Sequence, residues 1–382
     1  MSVREAYIVD GIRSPFGRRG GGLSRIRPDD LAAHTLSALV EKTGIEPSAV
    51  EDVRLGCVTE VGEQGFNIGR LAPLIAGFPV EVPGVSINRM CASSLEAVNQ
   101  AAQAIRADVH DLVIAAGVES MSRVPMGSDG STFSDELLRR YNIVPQGLSA
   151  EMIAAQWNLD RDSLDAFSYQ SHQRALAAID QGRFEEEITP VDTVDGEGNP
   201  VRIARDEGPR ADTTLEKMAT LRPAFKPDGR VTAANSSQIT DGSVALLLAS
   251  EDGLKRYGLN PRARVVAMSV VGVDPVIMLT GPIPATAKVL ERAGLRFEEM
   301  DVIEINEAFA SVVLAWGEEY HPDWTRTNPN GGAIALGHPL GASGGRLVLT
   351  ALHELERRQG RYALITMCIG WGMAVATIIE RV

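Results

Sequence analysis

The chain has 382 residues, 44% hydrophobic and 23% charged. That is ordinary globular composition at a length beyond what one growing core sustains, so two or more domains are expected and extended disorder is excluded. Fifty acidic side chains against 37 basic ones give a formal net charge of −13, which argues against a nucleic-acid or anionic-membrane surface but leaves room for a local basic patch that meets an anionic ligand.

The N-terminal MSVREAYIVDGIRSPFG reads as a strand flanked by charges, not a targeting leader, and no apolar run reaches the ~18 residues of a membrane span. A cytoplasmic protein is expected. Three cysteines without a CxxC spacing exclude a disulfide framework and structural zinc, so no metal site is expected. In chain order, Ala6–Val9 is a buried strand, Leu31–Lys42 a helix closed by Gly44, Ala92–Arg106 a helix after a cysteine, and Val113–Ala116 a second buried strand. The stretch 119–240 breaks the pattern. It is richer in Gly, Pro and charge, with helices near Ser149–Trp157 and Ser163–Gln181, and reads as an inserted loop domain. Within it, residues 202–230 form the most basic window of the chain. Val244–Leu248 is a strand, Thr286–Ala293 a helix ending at Gly294, Gly345–Arg358 a helix ending at Gly360, and Ala363–Met367 a strand. Alternating buried strands and helices predict an α/β layered fold.

A constant offset of 250 maps Glu41 to Glu291, Gly44 to Gly294, Val53 to Ile303, CASS at 91–94 to GASG at 341–344, and Ala101 to Ala351. We read this as an internal duplication. The division it predicts is a first half over 1–118 completed by about 241–259, a loop domain over 119–240, and a second half over 260–382.

Four positions have chemical context. Cys91, in VSINRMCASSLEAV, sits where an apolar segment turns into a helix, and amide dipoles there are expected to lower a thiol pKa from its usual ~8.5; the competing reading is a buried structural cysteine, which we assign to Cys57. His338 lies in NGGAIALGHPLGASGGR, whose six glycines over 330–346 predict neither ordinary helix nor strand. His34, His110, His172, His321 and His353 read as solvated. Cys368 opens CIGWGMA at a strand end with free backbone amides, and Asn306 closes the apolar DVIEI, where by itself it is a helix cap. Gly341–Gly345 also fits the G-x-S-x-G of a hydrolase elbow, but no strand precedes the serine and only His353 follows, on the same helix. No dinucleotide or P-loop pattern occurs.

Together these segments resemble the thiolase family, the 3-ketoacyl-CoA thiolases and acetyl-CoA acetyltransferases. The resemblance spans nearly the whole chain: VDGIRSPFG at 9–17, the Cys91 segment, GVESMSR at 117–123, SAEMIA at 149–154, LRPAF at 221–225, TAANSSQITDGS at 232–243, GPIPA at 281–285, NEAFA at 306–310, the His338 segment and CIGWGMA at 368–374. It implies a five-layer α/β/α/β/α sandwich of two duplicated βαβαβαββ halves, with the loop domain over coenzyme A, a co-substrate and not a resident cofactor. It implies Cys91 as acyl-accepting nucleophile, His338 as its base, Cys368 as acid/base at the acetyl-CoA carbon and the CoA thiol, a water held by Asn306 together with His338 as one oxyanion site, and the backbone amides of Cys91 and Gly370 as the other. Ser237 and Arg210 match CoA-contacting positions, and Met278 matches one lining the acyl site. A homodimer or dimer of dimers is implied.

Three departures bear on the pocket. Ser94 stands where the family usually has glycine, so the geometry of that loop is open. Trp371 also replaces a common glycine and is positioned to reshape the acyl pocket. Pro145-Gln146-Gly147 replaces the His-Met-Gly of short-chain biosynthetic members, which points to degradative thiolysis of a 3-ketoacyl-CoA. The alternatives are acetoacetyl-CoA synthesis by Claisen condensation and a non-catalytic acyl-CoA or lipid carrier on the same fold. A decarboxylating ketoacyl synthase is disfavoured, because that branch has His in place of Asn306 and Cys368.

Overall fold

A computed structural model describes residues 4–382. The chain begins with β1 (Tyr7–Arg13), β2 (Gly17–Arg18), α1 (Pro28–Thr43), β3 (Asp52–Gly56), α2 (Ile68–Ile75), β4 (Gly84–Ile87), α3 (Ser93–Arg106) and β5 (Leu112–Ser120). The middle carries α4 (Asp135–Arg140), α5 (Gln146–Gln156), α6 (Arg161–Asp180), the hairpin of β6 (Val191–Val194) and β7 (Pro200–Ile203), and α7 (Leu215–Ala219). The rest runs β8 (Thr240–Ala249), α8 (Glu251–Tyr257), β9 (Ala263–Gly272), α9 (Pro282–Ala293), β10 (Val302–Ile305), α10 (Ala310–Tyr320), α11 (Ala333–Leu336), α12 (Leu340–Arg358), β11 (Tyr362–Ile369) and β12 (Met373–Arg381). No helix among the described residues is long and apolar enough to cross a membrane.

The strands order as β10-β11-β12-β9-β1-β8-β5-β3-β4. β9 and β1 meet only at Tyr7↔Arg264 and Ile8↔Ala263, so two sheets touch at one corner. Their pairing repeats. β3 and β5 are parallel, β5 and β8 antiparallel, β8 and β1 antiparallel; β10 and β11 are parallel, β11 and β12 antiparallel, β12 and β9 antiparallel. The offset of 250 carries β3 onto β10, β5 onto β11, α3 onto α12, and left-handed Gly44 (φ 68°) onto Gly294 (φ 65°). β4 has only a remnant counterpart, a single parallel bridge between Ile303 and Thr327.

Five layers result. α1 and α2 cover one sheet and share a core with its outer face through Leu36, Leu39, Ile68, Ile114 and Leu247. α3 and α12 lie between the sheets and bury Leu95, Val98, Leu347, Val348, Val113 and Ile365 in one cluster. α9 and α10 cover the second sheet through Val289, Val313, Trp316, Leu364 and Ile378. β5 and β8 are buried along their whole length because helices close both faces, which explains their unbroken apolar runs.

The expectation that the glycine run around His338 avoids helix is corrected: Ala333–Leu336 is helical, and α12 starts at Leu340 and takes in Gly341, Gly344 and Gly345. These glycines serve close packing instead. A Cβ on Gly344 would lie 2.5 Å from Leu95 N, and one on Gly341 2.2 Å from Val118 O, so side chains there would separate α12 from α3 and β5. A Cβ on Gly117 would fall 2.1 Å from Gly341 O. Gly117→Ala is therefore expected to destabilise the protein by at least about 2 kcal/mol in denaturant unfolding.

Candidate active site

Cys91 lies two residues before α3, in a turn tied at every step. Asn88 Oδ1 accepts the Met90 N–H at 2.9 Å, Ser93 Oγ accepts the Arg89 N–H at 3.0 Å, and the Ser93 hydroxyl donates to Met90 O at 2.6 Å. Those bonds hold Met90 at φ 48°, a left-handed conformation costing about 1–3 kcal/mol for a side-chain-bearing residue. The turn leaves Cys91 buried, 5% exposed. Ser94 falls in the first turn of α3, where its Oγ accepts the Gly345 N–H at 2.9 Å and couples α3 to α12, so the departure from glycine adds a bond across the seam.

From the second half come three side chains. The His338 N–H donates to Gln238 O at 3.1 Å, and Gly337 before it (φ 102°) must lack a side chain because a Cβ would meet Thr240 at 2.3 Å. The Ser343 hydroxyl donates to Pro339 O at 2.9 Å, so its oxygen accepts from His338 Nδ1–H at 2.6 Å. That arrangement selects one tautomer, in which Nε2 carries a lone pair and accepts from Asn306 Nδ2 at 3.3 Å. Asn306 is fully buried where β10 ends, and its N–H donates to Thr366 O at 3.0 Å. Cys368 is the last residue but one of β11, opposite Ala374, with Ile369 between it and the three-residue turn Gly370-Trp371-Gly372.

Cys91, His338 and Cys368 line one cavity of about 760 Å³, whose walls also include Ser237, Phe309 and Trp371. Burial dominates the electrostatics. It pushes the Cys91 thiol up to about 11, against the opposing pull of the backbone amides of Gly370 and of Cys91 itself. The same two amides are the pair expected to face an oxyanion. Burial, with the Arg346 charge adding, pushes His338 down to about 3, and it raises the Cys368 thiol strongly, with Cys91 close enough to contribute. The expectation that helix dipoles lower the Cys91 pKa is thus corrected. The resting pair is thiol and neutral imidazole, and alkylation of Cys91 by iodoacetamide is expected to rise about tenfold per pH unit from pH 7 past pH 9. A plateau below pH 8 would reveal a preformed thiolate.

Ser237 lines the cavity, its N–H bonded to Ala308 O at 2.9 Å. Met278 does not. It is fully buried with Cys368 and Phe309 in the core behind the wall, its Sδ accepting the Trp371 N–H at 3.4 Å, and neighbouring Leu279 reaches the cavity in its place. Arg210 is exposed and outside the lining, its backbone N–H donating to His172 Nδ1 at 3.2 Å. Of the basic window, Arg230 is turned inward to Ala154 O and Leu159 O, while Arg202 and Lys217 pair with Asp192 and Asp212. His172 and His353 are buried, not solvated, because α6 and α12 present them to neighbouring segments.

Two positioning residues escaped the sequence reading. Ser343 had appeared only inside the hydrolase pattern; it is fully buried within α12 and orients His338. Glu119, buried at the end of β5, accepts from Val58 N, Thr59 N, Gln64 Nε2 and Gly341 N at 2.8–3.1 Å, tying the loop after β3 to the start of α12. The GVESMSR segment was the available signal.

Two thiols and an imidazole, drawn from both repeats into one cavity, form a constellation suited to carrying an acyl group on sulfur. The N-terminal thiolase domain family matches residues 6–252 and the C-terminal thiolase domain family residues 259–381. The chain belongs to the thiolase family. It is 49% identical to the steroid 3-ketoacyl-CoA thiolase FadA6 of Mycobacterium tuberculosis, covering 99% of this chain and 95% of that one. It is 47% identical to a beta-ketoadipyl-CoA thiolase of Acinetobacter baylyi over 100% of both. The crystal structure of the Bacillus anthracis acetyl-CoA acetyltransferase superposes with a TM-score of 0.93 at 38% identity, covering 100% of this chain and 99% of that one. Human mitochondrial 3-ketoacyl-CoA thiolase does so with the same TM-score at 37% identity over 100% of both.

Proposed function

We propose that this protein is a degradative thiolase that cleaves a 3-ketoacyl-CoA with CoA, giving acetyl-CoA and a shortened acyl-CoA by way of an acyl-enzyme on Cys91. The observation that carries the reading is the meeting of Cys91, His338 and Cys368 in one cavity. The relatives' names, steroid 3-ketoacyl-CoA and beta-ketoadipyl-CoA thiolase, agree with the thiolytic direction.

In the first half-reaction the Cys91 thiol passes its proton to His338 Nε2 as sulfur attacks the keto carbon. Burial of both groups ties that transfer to the attack, since a separated charge pair is disfavoured beforehand. The carbon–carbon bond breaks, the enolate of acetyl-CoA leaves, and Cys368 protonates it at carbon. Nε2–H, now a donor, and a water held by Asn306 stabilise the enolate oxygen, while the amides of Cys91 and Gly370 stabilise the oxygen of the acyl group. In the second half-reaction the Cys368 thiolate takes the proton of the incoming CoA thiol, whose sulfur attacks the thioester. Cys91 leaves and recovers its proton from His338.

Residues 119–240 cover the CoA in this reading, with Ser237 beside the pantetheine and Arg210, outside the cavity, beside the nucleotide. Claisen condensation runs through the same residues in reverse. Pairing of two chains has a suitable surface in the edge strand β4, with Val85 43% exposed beside exposed Val80 and Phe66. Initial-rate kinetics with a panel of 3-ketoacyl-CoAs and CoA test the proposal: parallel double-reciprocal plots and release of acetyl-CoA are expected, and no thiolysis of any member would overturn it.

A further inference from the structure

The cavity's walls carry information about the acyl group that the catalytic residues do not. Around Cys91 they are built from Met90, Met121, Met126, Phe133, Leu340 and Trp371. Methionines adapt to irregular apolar shapes. Phe133 packs edge-on to Trp371, with ring centroids 5.1 Å apart at 80°, so the loop carrying residues 126–133 and the β11–β12 turn close this side together. Trp371 is held at φ 67° by that turn, which places a large ring where glycine would leave an opening.

Charge on the lining is one-sided. Asp129 lies on it, and no lysine or arginine does. Beyond the lining, the Asp129 charge helps to raise the pKa of Glu60 and of Cys57, burial being the main cause for both. His338 is held neutral and offers no compensating cation. An acyl chain ending in methyl or a hydrocarbon ring finds matching apolar walls. One ending in carboxylate loses its hydration against those walls and meets a like charge.

We propose, building on the thiolase reading above, that this site selects apolar 3-ketoacyl groups and rejects those ending in a carboxylate, with Asp129 as the excluding charge. The matched probes are 3-oxohexanoyl-CoA and 3-oxoadipyl-CoA, which have the same carbon skeleton and differ in whether the terminus is methyl or carboxylate. For the wild type, kcat/KM is expected to favour 3-oxohexanoyl-CoA by at least about 30-fold. In Asp129→Asn that ratio is expected to narrow by at least about 5-fold, chiefly through a lower KM for 3-oxoadipyl-CoA, and in Asp129→Lys to narrow further. Asp129 lies on an exposed loop, so neither variant threatens folding. Equal or better use of 3-oxoadipyl-CoA by the wild type, or a ratio unmoved in both variants, would overturn the selectivity proposal while leaving thiolase chemistry intact. Absence of thiolysis with both probes and with the wider panel would overturn the underlying reading instead.

Discussion

Cys91→Ser is expected to lower kcat for thiolysis by at least about 10⁴-fold while leaving the fold intact. The substitution keeps a small hydroxyl in a site only 5% exposed, so little packing is lost. Chemistry, however, is lost on both sides of the intermediate. A serine hydroxyl is a far weaker acid than a thiol already raised to about 11, and His338, held neutral near 3, is too weak a base to activate it. An ester on serine would also transfer to CoA more slowly than a thioester. Intact-mass spectrometry after incubation with acetyl-CoA checks the assignment directly: the wild type should gain one acetyl group and Cys91→Ser none. Acetylation of the variant at another residue would remove Cys91 from the nucleophile role.

The second large effect concerns stability. Arg13→Met is expected to cost about 3–5 kcal/mol. Arg13 on β1 is 1% exposed, donates from Nε to Glu187 Oε1 at 2.8 Å, and forms a two-pronged pair with Asp206 at 2.7 and 2.9 Å. Its guanidinium lies between the Phe16 and Phe184 rings, 5.2 and 5.3 Å from their centroids. Glu187 is shared with Thr350 on α12, so the cluster pins the inserted segment to both halves. Methionine fills the volume but abandons two buried carboxylates. Burial already raises the Glu187 pKa, chiefly against the Arg13 charge. Without that charge the shift grows, and a raised folded-state pKa means stability that is present at low pH and lost as pH rises through it. The deficit in denaturant unfolding should therefore be larger at pH 8 than at pH 5. A pH-independent loss below 1 kcal/mol would show that the cluster contributes little.

The doubled scaffold was legible because its repeat keeps register: Gly44 with Gly294, and CASS with GASG, mark equivalent helix ends and equivalent helix starts. Cys91, His338 and Cys368 could be singled out because each stands within two residues of a glycine or a helix start; Asn306 read by itself as a helix cap and gained a role only through the resemblance. What escaped depended on contacts between segments remote in sequence. Gly341 and Gly344 suggested a loop until β5 and α3 were seen pressed against them. The Cys91 thiol was expected to be acidic from its place before α3, but its burial outweighs the pull of the Gly370 and Cys91 backbone amides. Met278 was given a place in the pocket by the resemblance alone; its spacing read as core, and it lies fully buried with its Sδ accepting the Trp371 N–H. The partnership of Ser343 with His338 needs a helix that turns the serine back onto the ring, which no local pattern announces.

Glu119 offers a last consequence. It anchors the β3 loop and the α12 start from within a rigid strand, whereas the loop bearing Asp129 and Phe133 hangs at the surface. The two supports differ in kind: Glu119 holds the β3 loop and the α12 start by four hydrogen bonds, while the Asp129 loop is braced through Phe133 against Trp371, so a change in that loop is transmitted to the turn that follows Cys368.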